Sequence, residues 1–301
     1  MKKIIPFILI LLLNQTPGHS QTPVAGVAVP PGQVREGLYF KSDILGRDVN
    51  YCIYLPPDYN QSARRYPVVY LLHGFTDNET AWVQFGEVNL AADRAIAARE
   101  IPPMIIVMPD AKITWYINDY RGKERYEDMF IEEFIPYVDK SFRTRAGKEF
   151  RGISGLSMGG YGSLMFAMRH PDRFAACAAL SAGVMTDEEI INMDNKQYDS
   201  FFTDLFGDKL RGKNRLNEQW RSYNPLDLVK TVPVEKLKKV RWYMDCGDDD
   251  FLYKGNSALH VLMRNLEIPH EYRVRDGAHN WTYWRTGITN ALQFIGKSFH
   301  R

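Results

Sequence analysis

The sequence predicts an α/β fold built on a mostly parallel, doubly wound sheet, and three observations carry that expectation. Short apolar runs alternate with longer amphipathic stretches, those stretches have helical spacing, and a glycine-rich strand-to-helix junction lies near the middle of the chain. The chain has 301 residues, 45% hydrophobic and 13% aromatic, enough for one large core and too few for several unrelated domains.

Taken in order, "MKKIIPFILILLLNQTPGHSQ" has a basic start, an apolar run from Ile4 to Leu13, and small or polar residues near Ser20. This pattern predicts a secretory signal peptide over residues 1–20 and export to the periplasm or medium. The apolar run is shorter than the roughly 20 residues that cross a bilayer, so no stable membrane insertion is expected. Residues 21–35 are rich in Pro and Gly and are expected to be an exposed lead-in to a single domain over 36–301.

Within that domain the strand candidates are "GLYF", "VNYCIYL", "YPVVYLLHG", "MIIVMPD", "FRGISGLS", "FAACAALSAG", "VRWYMDCG" and "EYRVRDG". Between them, "EDMFIEEFIPYVDKSF" places Met129, Phe130, Phe134 and Val138 near one helical face, and "NLAADRAIAARE" mixes alanines with charges at the same spacing. Residues of about 185–234 have helix-like pieces and no strand-like run, so they are expected to form a helical insertion after the sixth strand.

The net charge is +2, and Lys2 and Lys3 of the leader carry two of the positive charges. Acids and bases are interspersed, as in "RGKERYEDMFIEEF", with no basic stripe, which excludes a nucleic-acid surface and suits a small, neutral or sugar-like substrate. Cys52, Cys177 and Cys246 each sit in an apolar run without a C-x-x-C pair, the pattern of buried structural thiols; zinc is not implied.

The chemistry is concentrated in "FRGISGLSMGGYGSLMFAMRHPDRF". Gly155-Leu156-Ser157-Met158-Gly159 matches G-x-S-x-G, in which a serine stands on a sharp strand-to-helix turn. Glycine on both sides of Ser157 lets backbones pass where side chains would collide. Ser154 has Leu156 at its +2 position and reads as structural, so Ser157 is the candidate nucleophile.

A serine hydroxyl needs a base to take its proton and an acid to orient that base, here expected in the chain order serine, acid, histidine. "YMDCGDDDFLYKGN" offers Asp245, Asp248, Asp249 and Asp250 after a strong strand. Asp245 is expected inside that strand, leaving Asp250 as first choice and Asp249 as second. Of the later histidines, His260 falls in a helix-like stretch, His270 opens a strand and His300 is next to the terminus, whereas His279 occupies a loop before a final helix. His279 is the candidate base. The oxyanion donors are expected to be the backbone N–H groups of Met158 and Phe75, with His73 in a structural hydrogen-bonding role beside Gly74.

With "YPVVYLLHGFTDNETAW", "GISGLSMGGYGSLMFAMRHPDRFAACAALSAG", "CGDDDFLY" and "GAHNWTYWR" in this order, the chain resembles the esterase D-like α/β-hydrolases from about Gly37 to about Phe299. That family includes feruloyl and acetyl xylan esterases of carbohydrate esterase family 1, S-formylglutathione hydrolases and mycolyltransferases. The resemblance implies a serine esterase without metal or organic cofactor, in which Ser157, Asp250 and His279 match the triad and Phe75 and Met158 the oxyanion donors.

For substrate, the expected leader disfavours intracellular S-formylglutathione hydrolysis, and the intact "LHG" stretch disfavours a mycolyltransferase. An acylated plant cell-wall oligosaccharide, feruloyl first and acetyl or a general short-chain ester second, is the expectation, against a non-catalytic binding protein of the same fold. Trp115, Tyr116 and Trp281 are the candidate substrate contacts.

Overall fold

The computed structural model describes residues 30–299. The expected leader, most of the lead-in and His300 lie outside the described residues. The eight apolar runs are the eight strands: β1 (Gln33–Ser42), β2 (Arg47–Leu55), β3 (Val68–Leu72), β4 (Ile105–Pro109), β5 (Arg151–Leu156), β6 (Ala176–Leu180), β7 (Arg241–Gly247) and β8 (His270–Arg275). They form one sheet in the order β1-β2-β4-β3-β5-β6-β7-β8. β1 and β2, and β2 and β4, pair antiparallel, and all remaining pairs are parallel.

β1 begins at Gln33, earlier than "GLYF" indicates. The strand lies at the sheet edge with most of its residues exposed or half-buried, so its first half has no apolar signature. Its register against β2 shifts between Arg35 and Leu38, where Gly37 has φ 68°.

The central strands are buried on both faces, as crossover-linked parallel strands must be. Tyr70, Leu72 and Ile153 face a core with Phe130, Phe134 and Leu164, and Val69, Leu71 and Ala178 face another with Ala92, Ile288 and Leu292. Helices therefore cover both sides, with Val88–Ala97 and Trp281–Gly296 on one face and the helical stretch 126–141 with Met158–Arg169 on the other. Met129, Phe130, Phe134 and Val138 are all buried. The stretch between β6 and β7 is helical, from Asp187–Asn192 to Val234–Leu237. No helix among the described residues is long and apolar enough to cross a membrane.

The three cysteines are free and buried, and burial pushes the thiols of Cys52 and Cys246 up to about 12. At the β5 turn the glycines have a measurable reason. A Cβ on Gly155 would lie 2.5 Å from the Gly159 carbonyl, and one on Gly159 would lie 2.4 Å from the Leu72 oxygen of β3. Gly159→Ala must therefore push the helix off β3, and a loss of about 1–3 kcal/mol is expected in denaturant unfolding; an unchanged midpoint would contradict that packing.

Candidate active site

Ser157 stands between β5 and the helix Met158–Arg169 with φ 53° and ψ −117°. Non-glycine residues rarely adopt this conformation, and holding it costs on the order of 1–3 kcal/mol. Neighbouring backbone bonds enforce it. The Ser157 N–H donates to the Leu180 carbonyl at 3.0 Å, and the Ser157 carbonyl accepts from Gly183 at 2.8 Å and Tyr161 at 2.9 Å. The side chain is thereby presented beyond the carboxyl end of the sheet, at the positive end of a 12-residue helix.

His279 lies in the loop between β8 and the final helix, whose first turn Asn280 caps by accepting the Tyr283 N–H at 3.0 Å. Its Nε2 is 2.9 Å from Ser157 Oγ, and its Nδ1 is 2.9 Å from Asp250 Oδ2 and 3.1 Å from Oδ1. Because a carboxylate only accepts, Nδ1 carries the proton and Nε2 is left as an acceptor facing the serine hydroxyl. Asp250 is buried and also accepts the Leu252 N–H at 2.9 Å. Burial alone would raise its carboxyl; the hydrogen bond and charge of His279 and the Leu252 N–H outweigh it and hold the group below the usual carboxylate range.

The other aspartates of the run have different positions. Asp245 is fully buried in β7, where it takes the Arg275 Nε–H at 2.9 Å and the Tyr243 hydroxyl at 2.8 Å, and is also hydrogen-bonded to Tyr283. Asp248 accepts the Gly277 N–H at 2.9 Å, and the Asp249 N–H donates to the Gly277 carbonyl at 3.1 Å. These two ties lock the loop bearing Asp250 to the loop bearing His279. His260 and His270 are hydrogen-bonded to each other on Tyr253–Asn265 and β8.

The loop after β3 is held by His73, which is buried. Its Nε2 accepts the Ala111 N–H at 2.9 Å, so Nδ1 carries the proton toward the Gly74 carbonyl at 2.7 Å. Gly74 and Phe75 then border a cavity of about 260 Å³ that opens on Ser157 and His279. Met158 is the first residue of its helix, so its N–H has no intrahelical acceptor.

Of the candidate substrate contacts, Trp115 borders the cavity, with its ring 5.2 Å from Tyr161 and 5.0 Å from Phe202. Tyr116 is a correction. It is fully buried under Gly162 and donates its hydroxyl to the His73 carbonyl at 3.0 Å, so it braces the loop instead of meeting substrate. Trp281 is half-buried and packs at 5.3 Å on Trp82, 5.7 Å on Phe85 and 5.4 Å on Trp284, while Trp284 borders the cavity, edge-on to His279 at 4.8 Å.

Met185 comes to the cavity from the loop after β6, Phe201 from the helix Asn195–Phe206, and Phe251 from the residue after Asp250. Sequence reasoning did not single them out, since nothing in their local pattern distinguishes a wall residue from core. Asp77 also borders the cavity, and burial raises its carboxyl.

The Esterase family model, described as "Putative esterase", matches residues 42–295. The chain belongs to this esterase family. An endo-1,4-beta-xylanase/feruloyl esterase of Xylanibacter ruminicola is 38% identical over 162 residues, which are 50% of this chain and 22% of that much longer protein. An acetyl esterase of Caldicellulosiruptor saccharolyticus is 26% identical over 275 residues, covering 86% of this chain and 97% of its own. Among solved structures, a ferulic acid esterase superimposes with a TM-score of 0.78 at 32% identity, over 89% of this chain and 99% of that one. The esterase therefore has the α/β-hydrolase fold, and it is a carboxylic ester hydrolase.

Proposed function

We propose that this esterase is exported and removes feruloyl groups from plant cell-wall polysaccharide through a Ser157-His279-Asp250 triad. The observation that carries the chemistry is the continuous hydrogen-bonded line from Ser157 Oγ through His279 to Asp250. The aromatic cavity wall formed by Trp115 and Phe201, and the likeness to proteins named as feruloyl esterases, support the acyl group. The leader pattern of residues 1–20 supports export.

In this mechanism Ser157 Oγ attacks the ester carbonyl carbon while its proton passes to His279 Nε2. The carbonyl oxygen becomes an oxyanion held by the N–H groups of Phe75 and Met158 and favoured by the helix terminus. The bond from carbon to the sugar oxygen then breaks, and His279 gives its proton to that oxygen. Water attacks the acyl-enzyme, His279 takes one water proton and returns it to Ser157 Oγ, and ferulate leaves. Asp250, kept ionised by its depressed pKa, fixes the imidazole tautomer and stabilises the imidazolium formed in each half-reaction.

A second reading, an acetyl esterase, is favoured by the relative of that name that aligns along 86% of the chain. Hydrolysis of methyl ferulate, acetylated xylan, p-nitrophenyl acetate and S-formylglutathione by the purified enzyme separates the two. Release of ferulate well above the other activities is expected. Activity confined to the acetyl substrates would move the assignment to a deacetylase, and no turnover of any would leave a non-catalytic binding protein.

A further inference from the structure

Two groups of rings flank Ser157, and they differ in exposure. On one side Phe75, Trp115 and Phe201 pack together, with Phe75 4.9 Å from Phe201 and 6.4 Å from Trp115, which is only 5% exposed. On the other side Phe251 lies tilted against the His279 ring at 4.6 Å and is 66% exposed, while still bordering the cavity. A single exposed apolar ring is ordinary on a protein surface; its position against the triad imidazole is the informative part.

Reaction geometry assigns the two sides. The tetrahedral carbon carries the Ser157 oxygen, the oxyanion, the acyl carbon and the leaving oxygen. The oxyanion is directed to the Phe75 and Met158 N–H groups, and the leaving oxygen must lie within hydrogen-bond reach of His279 Nε2 to receive its proton. The alcohol half of the ester is therefore on the His279 side. An acyl group has a finite length and fits the enclosed end, whereas an alcohol that belongs to a polymer must continue out of an open one.

We infer that Phe251 is the platform on which the leaving sugar rests, and thus a determinant of preference for sugar esters over simple alkyl esters of the same acid. Its flat apolar face suits the C–H face of a pyranose or furanose ring, while the sugar hydroxyls remain in water. The inference rests on the sugar-ester reading above and goes beyond it by separating alcohol recognition from acyl recognition.

The test compares Phe251→Ala, Phe251→Trp and wild type on methyl ferulate and on a feruloylated arabino-oligosaccharide, which share the acyl group and differ only in the alcohol. Phe251→Ala is expected to lower kcat/KM on the oligosaccharide about tenfold, mainly through KM, with methyl ferulate changed less than about twofold. Phe251→Trp, which keeps a platform, is expected to retain the oligosaccharide preference. Equal losses on both substrates would make Phe251 a support for His279 alone, and no loss on either would remove it from recognition; both results overturn the inference.

Wild-type turnover of methyl ferulate tests the acyl assignment separately. If the wild type is confined to acetyl esters, the same ratio is read on acetylated xylo-oligosaccharide against ethyl acetate, with the same expectation. An enzyme that turns over none of these overturns both.

Discussion

Ser157→Ala is expected to lower kcat by about 10⁶ on whichever ester the wild type turns over, with the fold intact. The size follows from the chemistry: without Oγ there is no acyl-enzyme, and His279 is left with no proton to accept. The fold should survive because the turn is held by backbone bonds to Leu180, Gly183 and Tyr161 and by the close approach of Gly155 to Gly159, none of which involves the serine hydroxyl. Steady-state rates beside a thermal melt check both halves. Substantial turnover by a variant with a wild-type melt would place the nucleophile elsewhere.

Asp250→Asn should cost about 10⁴ in kcat, whereas Asp249→Asn should stay close to wild type. An asparagine at 250 can present its amide N–H to Nδ1, which favours the tautomer with the proton on Nε2 and turns the acceptor facing Ser157 into a donor. Asp249 is exposed, and its tie to the opposite loop runs through its backbone N–H, which the substitution leaves in place.

A pH dependence of stability accompanies the first variant. The Asp250 carboxyl is depressed in the folded state, so its contribution is present above the ordinary carboxylate range and is lost as pH falls through the depressed value. Asp250→Asn should flatten that part of the acid-side loss, as read from unfolding midpoints across the acid range.

The fold and the hydrogen-bonded line Ser157-His279-Asp250 were legible in sequence for the same reason: both are written in local pattern. Strands buried on both faces give continuous apolar runs, and a strand-to-helix turn with no room for Cβ atoms is marked by glycines at 155 and 159. His279 could be separated from His260 and His270 because only a loop before a helix was free to reach the serine. The choice of Asp250 over Asp249 depended on the position of the strand end, which Asp245 inside β7 anchors.

The cavity walls were legible only in part. Trp115 and Tyr116 are adjacent, and both have left-handed backbone, yet one ring meets the cavity and the other is buried under Gly162. Alternation of this kind belongs to an irregular loop and has no period to read. Trp281 and Trp284 are three residues apart on one helix, and their difference is set by Trp82 and Phe85, more than 190 residues earlier in the chain. Phe201 reaches the cavity from the helical stretch after β6, whose placement over Ser157 is a tertiary fact.

The central claim is that Ser157, activated by His279, is the nucleophile of an acyl-enzyme mechanism. It is tested most directly by treating the enzyme with a fluorophosphonate and mapping the adduct by mass spectrometry of intact protein and its peptides. A single adduct on Ser157 is predicted, formed rapidly by wild type, strongly slowed in His279→Ala and absent in Ser157→Ala. An adduct on another residue, or labelling at the wild-type rate in His279→Ala, would contradict the account.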